Sequence, residues 1–203
     1  MVYNIIMYFK NLENKIVKNI LSQDQINFLY NIINNSPKNK YEHVPHLGHT
    51  TYYSEFTPEF KEHILNTVHQ NVNEKFIITE MAISRYHTDS GFVPKLFPHY
   101  DHFEESRLTF DVQINSNIVW PIVVEGKEYV LNNNEALIFS GTDQIHWRTR
   151  KKLTSEDKVD MLFVHLSRVE NNIKITDEEK TERENRCLEY RQKVSIPLEP
   201  LKA

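Results

Sequence analysis

Phe97-Pro98-His99-Tyr100-Asp101 and, much later, Gln144-Ile145-His146-Trp147-Arg148 are the two stretches on which the reading of this chain turns. In extended backbone the side chains at i and i+2 leave the same face, so His99 and Asp101 present an imidazole and a carboxylate side by side. His146 offers a second imidazole from a distant strand. Two imidazoles and one carboxylate on one side of an octahedral cation leave the other side open, and open positions mean reactivity rather than storage. The triplet follows an apolar run, Met81 to Tyr86, and a segment carrying Gly91 and Pro94, so it is expected to open a new strand at a loop mouth, where sites concentrate. His146 in turn follows the strand-like Ala136-Leu137-Ile138-Phe139 and a turn at Ser140-Gly141-Thr142-Asp143.

Outward from these stretches, the chain reads as helices first, strands in the middle and a helix last. Ser22 and Gln25 form a capping-box pattern, followed by Ile26, Leu29, Ile32 and Ile33 at helical spacing, until Asn34-Asn35-Ser36-Pro37 ends it. A second helix is predicted from Thr57, with Pro58 in its first turn and an apolar stripe of Phe60, Ile64, Leu65, Val68 and Val72. From Lys75 the character changes to short strand-like runs: Phe76–Tyr86, Leu108–Ile114, Ile118–Val124, Tyr129–Leu131, Ala136–Phe139 and Val159–Leu166. Many short strands separated by turns suggest a sandwich or barrel. Thr176 and Glu179 make a further capping box that opens a charged helix toward Lys193, with Leu188 among its few anchors.

Composition narrows the classes. At 203 residues and 39% hydrophobic content the chain fits one domain with a sizeable core. A net charge of −4, with basic residues spread along the sequence, gives no electrostatic footprint for phosphate backbones, so nucleic acid is disfavoured as a partner. Cys187 is the single cysteine, which excludes an intrachain disulfide. Met1 to Lys10 lacks the charged start and long apolar core of a secretion signal, and no run is long enough to cross a membrane. A cytoplasmic location is the expectation.

Ser84-Arg85-Tyr86, Pro98-His99-Tyr100-Asp101, Trp120-Pro121-Ile122, Glu135-Ala136-Leu137-Ile138-Phe139-Ser140-Gly141 and His146-Trp147-Arg148, taken together, resemble the Fe(II)/2-oxoglutarate-dependent oxygenases, and within them the small prolyl-4-hydroxylase-like branch. The resemblance covers roughly residues 76 to 168. It implies an α+β protein with a mainly β core: a double-stranded β-helix, or cupin-like jelly roll, flanked by N-terminal helices and a C-terminal helix. The expected organisation is a single domain over 1–203, with a helical buttress at 1–74, the jelly-roll core at 75–168 and a helix and tail at 169–203. His99, Asp101 and His146 are then the metal ligands and catalytic centre. The resemblance also implies Fe(II) as cofactor, 2-oxoglutarate and O2 as co-substrates, ascorbate as an activator, and succinate and CO2 as products. Because Asp101 keeps the carboxylate that a halogenase of this superfamily lacks, hydroxylation is favoured. The resemblance permits an amino acid, a peptide or a small molecule as substrate, with preference for the first two.

Such chemistry requires a cation for the far carboxylate of 2-oxoglutarate. Arg148 is one choice: two positions after His146 it shares that residue's face, roughly 7 Å along the strand, and its planar fork suits a carboxylate. Lys158, at the start of the last barrel strand, is the other, since the relatives carry their anchor there. Tyr86 resembles the tyrosine that hydrogen-bonds the same carboxylate. Tyr100 and Trp147 should face away from the metal, and His165 reads as a structural histidine. His43, His46 and His49, spaced around Pro45 and Gly48, imply a bent loop lining the approach, and Thr88-Asp89-Ser90-Gly91 a lid. Two rival readings are a cupin-type metalloenzyme that uses no 2-oxoglutarate and a noncatalytic metal-binding module.

Overall fold

The structure, a computed structural model, describes residues 12–88, 93–101, 107–169 and 174–194. Asp89, Ser90 and Gly91 of the expected lid lie outside them. The strands are β1 (Lys15–Lys18), β2 (Tyr41–Val44), β3 (His49–Tyr52), β4 (Phe76–Tyr86), β5 (Leu96–His99), β6 (Leu108–Ser116), β7 (Ile122–Val124), β8 (Lys127–Tyr129), β9 (Glu135–Phe139), β10 (His146–Arg148) and β11 (Val159–Arg168). They form a seven-stranded sheet in the order β1-β9-β6-β11-β4-β3-β2 and a four-stranded sheet in the order β5-β10-β7-β8, every pairing antiparallel. The helices are α1 (Gln23–Asn35), α2 (Pro58–His69) and α3 (Asp177–Lys193). The result is the expected α+β double-stranded β-helix.

Strand alternation decides what each face of the large sheet meets. From β6, Phe110, Val112 and Ile114 point to one face, as do Leu162, Val164 and Leu166 from β11. There they pack against Leu29, Ile32 and Ile33 of α1 and Phe60, Ile64 and Val68 of α2. The opposite face carries Tyr86, Leu137, Phe139, Val159 and Met161, which meet Trp120, Ile122 and Val124 of the small-sheet side to make a second core between the sheets. Beyond the small sheet, Tyr100, Val123, Ile145 and Trp147 pack with Cys187 of α3. Tyr100 and Trp147 therefore face away from the site, as alternation requires.

The predicted helix starts are present with their reasons. Ser22 and Gln25 make both bonds of a capping box, Thr57 caps α2 above Pro58, and Thr176 and Glu179 close a second capping box on α3. Each such cap is worth about 1 kcal/mol. Several expectations are corrected. Leu188 is exposed, and Arg183 and Cys187 are the buried residues of α3. The stretch expected to be helical also supplies β1, β2 and β3, which extend both edges of the large sheet. The His43–His49 segment is a hairpin, not a loop: a 3-10 turn at Pro45–Leu47 ends on Gly48 at φ 72°, where a Cβ would also lie 2.7 Å from Pro94 backbone. The His99 triplet closes strand β5 instead of opening a new one. No helix among the described residues is long and apolar enough to cross a membrane.

Candidate functional site

β5 and β10 lie side by side in the small sheet with His99 directly opposite His146. That register brings the two imidazoles together, with ring centroids 4.1 Å apart, and the chain leaving β5 adds Asp101. His146 Nε2 lies 3.1 Å and His99 Nε2 3.4 Å from the same oxygen, Asp101 Oδ1. The three ligand atoms all fall within 4.8 Å of one another, the spacing of groups that share one ion.

The backbone fixes which ring nitrogens point inward. His99 Nδ1 lies 2.8 Å from the Phe97 carbonyl and 3.1 Å from that of His146, and His146 Nδ1 lies 3.1 Å from the Gln144 carbonyl. A carbonyl can only accept, so both Nδ1 atoms donate, which leaves the Nε2 atoms facing the centre, where in the neutral rings they carry the lone pair that a ligand atom needs. Burial, and then the neighbouring His99, push the His146 pKa down, which favours its neutral, ligating form. Burial alone would raise the Asp101 pKa, but when the imidazoles are protonated the charge and hydrogen bond of His146 and the hydrogen bond of His99 outweigh it and hold the carboxyl well below the usual carboxylate range. The donor set fits a 2-His-1-carboxylate metal centre.

Local chain geometry holds the carboxylate. The Asp101 N–H donates to the Gly141 carbonyl at 2.9 Å, and Thr109 Oγ1 donates to Asp101 Oδ2 at 2.6 Å. Gly141 admits no side chain: a Cβ there would lie 1.7 Å from Asp101 Oδ2 and 2.1 Å from Thr109 Oγ1. The turn before His146 is braced by Ser140 N–H on Gln144 Oε1 at 2.8 Å, and by the buried pair Arg183–Asp143 at 2.8 Å, which ties the turn to α3. Arg186 of α3 reaches Tyr100 Oη at 2.9 Å and Glu125 at 2.7 Å, so the same helix holds the other ligand-bearing segment.

Arg148 is buried two residues after His146 on β10. Its Nη1 donates to the Trp120 carbonyl at 2.5 Å, its Nη2 lies 3.7 Å from the Met161 sulfur, and its guanidinium stands 5.1 Å from the Trp120 ring centroid. No carboxylate is among these partners. Tyr86 is buried beside it, with its ring edge-on to Trp120 at 4.9 Å and its pKa pushed up to about 12 by burial. Lys158 is exposed just ahead of β11, where its backbone N–H meets Asn117 Oδ1 at 3.0 Å. The fold thus brings together His99, Asp101, His146, Arg148 and Tyr86 and leaves Lys158 outside.

Four residues join the site without having been singled out for it. Thr109 and Gly141 bound the carboxylate. His165, read as structural, has its Nε2 3.6 Å from Asp101 Oδ2 and its Nδ1 3.1 Å from Glu80. Asp111 is buried with Oδ1 unpartnered, and burial and then the charge of Asp101 push its pKa up to about 7. The signal for two of them was the alternation Leu108-Thr109-Phe110-Asp111-Val112, which places Thr109 and Asp111 on one face. A polar face normally reads as solvated; here it faces the metal site. His49 packs edge-on against Tyr86 at 4.9 Å, while Thr50 bridges His43 and His87 at 2.8 Å each.

No family profile matches the sequence, and no curated protein does either. Solved structures do match. HygX from Streptomyces hygroscopicus, solved with nickel and 2-oxoglutarate, aligns with a TM-score of 0.55 at 10% identity over 75% of this chain and 82% of its own. A Pseudomonas putida prolyl-4-hydroxylase aligns with a TM-score of 0.56 at 10% identity over 76% and 92%. The non-heme α-ketoglutarate-dependent epimerase SnoN of nogalamycin biosynthesis aligns with a TM-score of 0.58 at 8% identity over 76% and 78%. At such identities the likeness is one of architecture: this chain has the double-stranded β-helix fold found in 2-oxoglutarate-dependent non-heme enzymes.

Proposed function

We propose that this protein is a non-heme Fe(II)- and 2-oxoglutarate-dependent oxygenase that hydroxylates an amino-acid or peptidyl substrate. The observation that carries the reading is the pairing of two features along strand β10. One is a triad whose Nε2 atoms and carboxylate converge with their tautomers pinned; the other is a buried arginine whose hydrogen-bond partners among the described residues include no carboxylate, the buried Asp111 acting on its charge only at longer range. HygX, solved with nickel and 2-oxoglutarate on the same fold, supports the choice of ligands.

In this reading His99, Asp101 and His146 hold the iron, and Arg148 receives the far carboxylate of 2-oxoglutarate, with Tyr86 beside it. Bound iron, O2 and 2-oxoglutarate supply the oxidising power, with succinate and CO2 released as one oxygen atom enters the substrate. The protein's own residues do the rest. The carbonyls of Phe97 and Gln144 orient the imidazoles, Arg148 fixes the direction of the co-substrate, and Trp120 and Met161 keep water from that end. Asp101 fills the position that a chloride ion would need, which favours hydroxylation. A cupin-type enzyme that uses no 2-oxoglutarate would leave the buried Arg148 charge with no carboxylate in contact and only the longer-range influence of Asp111, whose own pKa burial pushes up to about 7, a costly arrangement.

The test is uncoupled turnover. Protein supplied with Fe(II), ascorbate and 2-oxoglutarate in air should form succinate, and Asp101→Ala should form none and retain no iron. Absence of succinate from the unaltered protein with every candidate amino acid and peptide present, or full activity of the Asp101→Ala variant, would overturn the assignment.

A further inference from the structure

The two oxygens of Asp101 have different surroundings. Oδ1 faces both imidazole Nε2 atoms, at 3.1 and 3.4 Å. Oδ2 is turned away from them, where it accepts the Thr109 hydroxyl at 2.6 Å and has His165 Nε2 at 3.6 Å. Thr109 is buried and lies opposite His165 in the β6–β11 register, so the two side chains reach Oδ2 from adjacent strands of the large sheet. His165 is itself anchored by Glu80, through Nδ1 at 3.1 Å. Gly141 closes the remaining side, with no room for even a methyl group next to Oδ2.

We infer that Thr109 and His165 are positioning residues that restrict Asp101 to one-oxygen ligation of the metal. This rests on the proposed function above. An octahedral ion held by two imidazoles and one carboxylate oxygen keeps three open positions, two for a chelating keto acid and one for O2. A carboxylate that swings to bind through both oxygens occupies one of the three. A small sheet carrying the metal ligands could not prevent that swing by itself, because the restraint comes from the large sheet across the cavity. The short Thr109 hydrogen bond to a charged acceptor is the stronger restraint; the His165 contact is longer than a hydrogen bond and acts by occupying the space beside Oδ2.

The inference separates two quantities that a generally damaged site would lose together. Thr109→Val keeps the side-chain shape and removes the hydroxyl; Thr109→Ser restores it; His165→Phe keeps a ring and removes the nitrogens. Metal affinity is measured by competition of Co(II) with a chelator, and 2-oxoglutarate affinity by the visible band of the anaerobic Fe(II) protein. Loss of a side chain that orients a metal ligand costs on the order of 10–100-fold. Thr109→Val and His165→Phe should weaken 2-oxoglutarate binding on that order while metal binding changes less. The Co(II) visible spectrum should shift toward a higher coordination number, and Thr109→Ser should behave like the unaltered protein. If both variants bind 2-oxoglutarate and give the Co(II) spectrum as the unaltered protein does, the positioning role is wrong although the functional reading stands. If the unaltered protein takes up neither metal nor 2-oxoglutarate, that reading fails and this inference with it.

Discussion

Arg85 and Arg148 end neighbouring parts of the same barrel, yet their surroundings are opposite. Arg85 of β4 makes a bidentate pair with the buried Asp160 of β11, at 2.7 and 3.0 Å. Arg148 of β10 is more deeply buried and has a carbonyl, a thioether and an indole ring for company. A charge that the chain pairs directly serves the fold, whereas a buried charge with no carboxylate in contact points to a ligand that brings one. The same contrast runs through the whole cavity. Every polar group of the triad has a protein partner, while at the Tyr86 and Arg148 end Asp111 Oδ1 and His49 Nδ1 have none.

The contrast breaks most visibly through stability. Arg85→Met strands Asp160 in the interior and should cost about 3–5 kcal/mol in denaturant unfolding, as breaking buried pairs does. If Arg148 is there for a ligand, Arg148→Met should leave the free protein as stable as before or more so, by up to about 4 kcal/mol. The same variant should raise the KM for 2-oxoglutarate on the order of 100-fold. Equal destabilisation by the two substitutions would erase the distinction.

His49 sharpens the contrast through pH. Burial, and then the nearby His46 and His87, push its pKa down to about 4, below the ordinary value of 6.5. The unfolded chain therefore binds a proton between about 6.5 and 4 that the folded chain refuses, so stability present above pH 6.5 is lost as pH falls through that window. The loss attributable to this group is about 3 kcal/mol, and His49→Phe should flatten the acid limb of a stability profile by that order. An unchanged limb would show that His49 is not held neutral by the fold.

Gly141→Ala acts at the triad itself. The added methyl must displace Asp101 or Thr109, and metal affinity should fall on the order of 10–100-fold with little change in helix content by circular dichroism. The smallest effect belongs to Lys158→Ala. An exposed side chain outside the cavity should leave the KM for 2-oxoglutarate unaltered, and a large increase would transfer the anchoring role from Arg148.

Much of this was legible in residues alone. The three helices announced themselves through Ser22, Thr57 and Thr176, because caps are local chemistry. The long strands β4, β6 and β11 were readable from apolar runs, and the triad from His99, Asp101 and the distal His146. The short strands β1, β2 and β3 were not, and β5 and β10 were read only as the extended stretches carrying His99 and His146. Four residues or fewer carry too little pattern, and their pairing is supplied by the sheet they join. Two limits are specific to the site. The sequence put Arg148 first and kept Lys158 as its rival, since only the fold says which is buried. Thr109 and Asp111 were not singled out, because a barrel that encloses a polar site inverts the usual meaning of alternation.

The central claim is that strand β10 joins a metal triad to an arginine awaiting a carboxylate. Anaerobic titration of the Fe(II)-loaded protein with 2-oxoglutarate, followed by its weak visible charge-transfer band, tests both halves at once. The account predicts a saturable band that Asp101→Ala abolishes and that Arg148→Met shifts to on the order of 100-fold higher 2-oxoglutarate, with Lys158→Ala tracing the original curve. A protein that binds iron yet shows no band at any 2-oxoglutarate concentration, or an Arg148→Met variant that titrates like the unaltered protein, would contradict it.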